Sequence, residues 1–228
     1  MRFGLRWCRS VLAGSLVLCA STADAQSAPP VHRLELAAGV GWLGGGALGT
    51  ADANLRPAMG TSYRVFTTSS RLEPAPVLDL RAGVSLTRRY GLELHALYGH
   101  PEVQTRISAD VEGAPGVTAV EQLDHYHIEG GFTVSLDQLR VAGVVPFAAA
   151  GAGYLRQLHE GLTVVEEGRV YYVGGGAKYW LFMRPRGFTR AAGARADVRL
   201  NLLSGGIALD EDGLRRHVSI SGSFFLVF

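Results

Sequence analysis

An all-β fold, an eight-stranded antiparallel transmembrane β-barrel in up-and-down meander order behind a cleavable signal peptide, is what this sequence predicts, and three observations predict it. The first is the C-terminal run His-Val-Ser-Ile-Ser-Gly-Ser-Phe-Phe-Leu-Val-Phe from His217. Val218, Ile220, Gly222, Phe224, Leu226 and Phe228 share one face of an extended chain, while His217, Ser219, Ser221 and Ser223 share the other. An amphipathic strand closing on an aromatic residue is expected of an outer-membrane barrel, whose apolar face meets lipid and whose polar face lines the lumen. The second is the N-terminus. Arg2, Arg6 and Arg9 precede a short apolar run, Val11 to Ala20, and Ala23-Asp24-Ala25 has the spacing of a cleavage site. The third is repeated alternation in which the charges keep to one face of each run.

Taken in order, residues 1–25 read as the signal peptide and residues 26–228 as one barrel domain. The apolar run is too short for a comfortable spanning helix. An acylated Cys19 is the rival reading, and Leu18 stands where such signals carry a small residue. Both cysteines, Cys8 and Cys19, fall in the leader, so the mature chain has no disulfide framework and no thiolate metal site. The leader removes three Arg and one Asp, and the formal charge of +2 falls to zero, leaving no electrostatic footprint for nucleic acid.

The first strand is read at 32–43, with Leu34, Leu36, Ala38, Val40 and Trp42 opposed to Glu35, Ala37, Gly39 and Gly41. In 77–87, Leu78, Leu80, Ala82, Val84 and Leu86 oppose Asp79, Arg81, Gly83, Ser85 and Thr87. In 91–99, Leu92, Leu94, Ala96 and Tyr98 oppose Glu93, His95 and Gly99. In 122–136, Tyr126, Ile128, Phe132, Val134 and Leu136 oppose His125, His127, Glu129, Thr133 and Ser135. Stretch 144–158 is mostly Ala and Gly, and its register is open; the favoured one turns Ala148, Ala150, Ala152 and Tyr154 outward. In 170–181, Tyr171, Val173, Ala177 and Tyr179 are read outward, with Gly174, Gly176 and Lys178 inward. In 191–202, Ala194, Ala196, Val198 and Leu200 oppose Arg195, Asp197, Arg199 and Asn201. Residues 217–228 are the eighth strand.

The connections fall into two alternating classes. Residues 88–90, 137–141 and 183–190 are short; residues 44–76, 100–121, 159–169 and 203–213 are long. Short periplasmic turns and long extracellular loops produce this pattern. A soluble sandwich or lipocalin-like barrel accounts for alternation as well, but it would bury the apolar face and expose the charged one.

With the strands laid out, the chain resembles the outer-membrane β-barrel domain superfamily, the group of OmpA-like, OmpW-like and OmpX-like eight-stranded barrels. The residues that carry the likeness are Pro146 to Tyr154, Gly174 to Trp180, Arg195 to Arg199 and Phe224 to Phe228. The resemblance implies a bacterial outer-membrane location, lipid as surroundings, and insertion by the barrel-assembly machinery. Phe224, Leu226 and Phe228 would be the assembly signal. Some members carry a peptidoglycan-binding domain after the barrel; this sequence runs to Phe228, and that role is not carried over.

An eight-stranded barrel has room for side chains and little more. The inward set Glu35, Asp79, Arg81, Glu93, His95, Glu129, Lys178, Arg195, Asp197 and Arg199 is close to balanced in charge, and confined charges must pair. The expectation is therefore a lumen ion-pair network in a non-enzymatic structural or surface-interaction protein whose extracellular partner is open. The alternatives are a narrow channel for small, perhaps apolar, solutes and a lipid-modifying enzyme. His217 and Ser219 superficially resemble the His/Ser pair of lipid A deacylases, but Ile220 replaces the Asn that follows the serine there. His125, His127 and His217, with His159 near a loop, raise the question of a divalent metal, yet strands four and eight lie across the barrel. No cofactor fingerprint is present.

Overall fold

The computed structural model describes residues 33–58, 60–159, 164–184, 187–207 and 214–228; the leader read at 1–25 lies outside them. Eleven strands are assigned: β1 (Leu34–Leu43), β2 (Gly46–Leu55), β3 (Tyr63–Leu72), β4 (Ala75–Ser85), β5 (Tyr90–Gly99), β6 (Glu102–Ser108), β7 (Val117–Ser135), β8 (Val144–His159), β9 (Val165–Met183), β10 (Ala191–Gly205) and β11 (Arg215–Val227). Eight of them, β1, β4, β5, β7, β8, β9, β10 and β11, are antiparallel staves of a closed barrel. The first and last staves pair from Glu35↔Val227 to Leu43↔Ser219 and leave no edge there.

The stagger follows from the register. A hydrogen-bonded row that starts at Glu35 passes through Gly83, Glu93, Gly131, Gly151, Tyr172, Asn201 and His217. Continued into the first stave's chain, it reaches Gly45, ten residues above its start. Rows therefore climb toward one end as they circle the barrel, and the staves tilt.

Three remaining strands correct the expected loops. Residues 44–76 and 100–121 are strand for most of their length: β2, β3, β6 and the first third of β7 form a four-stranded sheet that rises from the barrel wall. The Thr and Ser content of 67–70 satisfies strand geometry there, and Ser70 bonds Thr105 across the sheet at 2.8 Å. The segment 111–117 is a turn as expected, with Gly113 at φ +75°. At the opposite end, Thr87 caps a tight turn by accepting from the backbone N–H of Arg89 and Tyr90. Ala142 and Gly143, at φ +49° and +81°, form the two-residue reversal that follows a short 3₁₀ turn, Asp137–Leu139. Short turns and both ends of the described chain lie together at this second end, which takes the label periplasmic, and the first end extracellular, from the usual asymmetry of barrels of this fold.

Exposure settles the orientation of every stave. Val40 and Phe224 are about 70% exposed, whereas Asp79 is wholly buried and Arg199 is 2% exposed. The apolar faces look out and the ionic faces look in, the reverse of a soluble barrel. The Ala/Gly-rich stave β8 keeps the favoured register, with Ala148, Ala150, Ala152 and Tyr154 outward.

Candidate functional site

The lumen is filled in layers. At the periplasmic end, Ala37, Val145, Trp180, Ala191, Phe225 and Val227 form an apolar layer, with Trp180 and Phe225 edge to face at 4.9 Å. At the extracellular end, Leu43, Leu48, Leu72, Val77, Leu97, Val103 and Leu123 form another, and Leu155, Val170 and Leu203 pack as a smaller cluster. The charged residues lie between.

Their geometry follows from the pleat. Asp79 and Arg81 are two apart on β4, so both point inward, and Arg81 grips Asp79 through Nε and Nη2 at 2.7 and 2.6 Å. Arg195 and Asp197 repeat the device on β10, at 2.7 and 2.9 Å. The two forks are then tied together. Arg81 Nη1 donates to Asp197 at 2.9 Å and to Glu93 at 3.2 Å, and its Nη2 also reaches the Ser221 hydroxyl. Glu93 accepts from Arg195 and, at 2.5 Å, from Arg199. Arg199 continues to Glu129 at 2.9 Å. Nearer the periplasm, Lys178 holds both oxygens of Glu35 at 2.6 and 2.7 Å. Every residue assigned to the ion-pair network from sequence thus meets at least one other member.

Five carboxylates and four permanent cations share this space, and His95 stands between two of the acids, 2.9 Å from Glu129 and 3.4 Å from Asp79. Charges so confined are tolerable because each is multiply hydrogen-bonded. The room comes from small neighbours. Arg199 stacks on Tyr172 at 4.5 Å and Arg195 on Phe147 at 4.4 Å. The Tyr172 ring in turn lies over Gly151, where a Cβ would stand 2.8 Å from it. Tyr172, Phe147, Ser221 and Gln157 fall outside the charged inward set that the sequence predicts. For Phe147, Gln157 and Tyr172 the signal is the inward register of β8 and β9, though nothing local distinguishes a lumen aromatic from a lipid-facing one; Ser221 already stands on the polar face of the last strand.

Above the ionic layer the histidines are hydrogen-bonded in sequence. The Ile207 N–H donates to Gln157 Oε1 at 3.0 Å, so the Gln157 amide donates to His125 Nδ1, also at 3.0 Å. His125 then carries its proton on Nε2 and donates to His127 Nε2 at 2.9 Å. His127 is left with Nδ1–H aimed at Glu129, 3.5 Å away. His217 faces this pair across the lumen and donates from Nδ1 to the Gly44 carbonyl at 3.1 Å. Among the described residues, no three His, Asp or Glu side chains converge as metal ligands. His159 is occupied elsewhere, 2.7 Å from Glu121. Ser219 accepts from Asn201 at 3.1 Å. At the periplasmic mouth a cavity of about 60 Å³ lies between the Glu35–Lys178 pair and the turn carrying Arg88 and Arg89.

Phe224 and Leu226 project outward on β11, and Phe228 meets Phe188 edge to face at 5.0 Å at the periplasmic rim.

No family model matches the chain, and no curated protein matches it. Among solved structures it is similar to the outer membrane protein OprG from Pseudomonas aeruginosa, with a TM-score of 0.52 at 11% identity, over 87% of this chain and 96% of that one. That likeness carries the fold. The chain is a closed eight-stranded antiparallel β-barrel with an apolar outer face and an ionic lumen.

Proposed function

We infer that this barrel is a non-enzymatic component of the outer membrane, with a sealed lumen and a structural or surface-interaction role. The observation that carries the reading is the stack of three closed layers: apolar, ionic, apolar. A solute crossing the lumen would have to break the Arg81–Asp197, Arg195–Glu93 and Arg199–Glu129 pairs together. Parting a buried pair leaves a bare charge at a cost of about 3–5 kcal/mol. The rising β2–β3–β6–β7 sheet is the surface such a role would use, since recognition commonly sits on segments held by a rigid scaffold. Catalysis at His217 and Ser219 is disfavoured because each is engaged by another group and both face away from lipid. Purified protein in planar bilayers is expected to give no discrete conductance steps at high protein load; regular steps would overturn the reading.

A second reading, passage of small apolar solutes, is favoured by one feature. The last backbone bond between the first stave's chain and β11 is Gly44 N–H to Val218 O. Above it, among the described residues, β2 bonds only β3 and β11 bonds only β10, so the described wall has a seam at the height of the apolar Leu43–Leu97 layer. Proteoliposomes that accumulate an apolar dye faster than empty liposomes, and lose the gain when the seam is cross-linked, would establish it. Equal rates would dismiss it.

A further inference from the structure

The outer wall carries an aromatic belt near the extracellular end, with Tyr98 stacked on Tyr126 at 4.7 Å and Tyr154 and Tyr171 exposed farther round. The residues just above the belt are not alike on all sides. On the β5–β7 side they are His100 and Asp124, paired at 2.9 Å. On the β8–β11 side they are Arg156, Arg169 and Arg216, all exposed and outward.

Register brings those three arginines to one height. Arg156 lies opposite Glu167, Arg169 opposite Ser204, and Arg216 opposite Leu202, which is itself opposite Tyr171. Measured on β9, the three rows lie at 167, 169 and 171, two residues lower at each step. Rows in this barrel climb in the same sense, and the two slopes offset each other. The arc spans about 15 Å, three strand spacings. Among the described residues, Glu167 is the one outward carboxylate within the arc, against three guanidinium groups. Tyr126 lies opposite Arg156, and Tyr154 opposite Arg169. Directly below are Ala152, Val173, Leu200 and Val218, a bare apolar wall.

We propose that this arc is a binding site for the phosphorylated glycolipid of the outer leaflet: phosphates on Arg156, Arg169 and Arg216, sugar against Tyr154 and Tyr171, acyl chains along the wall below. The chemistry fits at each level. Guanidinium forks match phosphate oxygens, tyrosines suit the interface, and the apolar wall lies where the chains of that lipid run. The assignment rests on the reading that the long-hairpin end faces outward. Protease cleavage of the β2–β3 hairpin in intact cells tests that reading independently.

The test uses the full barrel in phosphatidylcholine nanodiscs, titrated with bis-phosphorylated lipid A and with the dephosphorylated form and read by native mass spectrometry. The triple variant Arg156→Gln, Arg169→Gln, Arg216→Gln is expected to bind the phosphorylated lipid at least about tenfold more weakly. Wild-type protein should show a comparable preference for phosphorylated over dephosphorylated lipid, an arm that needs no variant to fold. Arg88→Gln with Arg89→Gln, at the opposite mouth, should leave binding unchanged. Equal binding by the triple variant, no preference for phosphate, or an equal loss in the periplasmic pair would each overturn the proposal. So would displacement of the lipid by millimolar inorganic phosphate, which would mark a site for the free anion.

Discussion

Glu129 shows how much one side chain can hold in this lumen. It accepts from Arg199 and lies against His95 and His127, which puts the ionic layer and the histidine chain in a single network. Removing it takes away one of the two carboxylates that hydrogen-bond the buried Arg199 and leaves Glu93 as the other. Glu129→Ala is therefore expected to destabilise the folded barrel by about 3–5 kcal/mol, the cost of breaking a buried pair from one side. Urea titration of the heat-modifiable band on a gel measures this, and Glu129→Gln, which keeps an acceptor, should cost less. That Glu129 points inward was legible in the sequence, because His125, His127 and Glu129 alternate with Tyr126 and Ile128. Its partners were not. They come from β5 and β10, 34 and 70 residues away.

At the scale of the element, the period of two governs everything. On β10 the charged Asp197 and Arg199 flank Val198, which is half-exposed to lipid near the middle of the wall. The same cation is stabilised at 199 and excluded at 198. Val198→Arg is expected to cost about 2–4 kcal/mol, the penalty for arginine at the bilayer midplane, in a lipid-vesicle refolding titration. A penalty near zero would mean that this face does not meet hydrocarbon. Alternation made most staves readable; in β8, mostly Ala and Gly, it left the register open, and the structure selects the favoured one, with Ala148, Ala150, Ala152 and Tyr154 outward. It failed for β2, β3 and β6. Their large buried apolar residues are few, with Leu48, Leu72 and Val103 at the base, and Thr, Ser, Asp, Asn and Arg fill much of the rest, so their alternation is weak and they look like loops. Only pairing with neighbours identifies them as sheet.

For the whole molecule, the stagger of ten residues decides what the barrel can do. It tilts the staves and sets which inward side chains share a layer. Arg81, Glu93, Arg195 and Asp197 meet because rows climb around the wall; Arg81 and Glu93 stand on the neighbouring β4 and β5, and the other two on β10, three staves from β4 round the barrel. The same climb levels Arg156, Arg169 and Arg216 on the outside. The sealed-lumen reading belongs to this scale too, since no single pair closes the barrel. An absence of conductance in bilayers would reflect the three layers acting together.

Local chemistry alone determined the fold class, the lipid and lumen faces of every stave but β8, and which end has the long connections. These follow from side-chain alternation and turn residues, both short-range properties of a pleated chain. Tertiary structure alone decided which charges pair, how the histidines order their protons, and that two expected loops rise as a sheet. Each of those depends on cross-strand register and stagger, which arise only when distant strands meet.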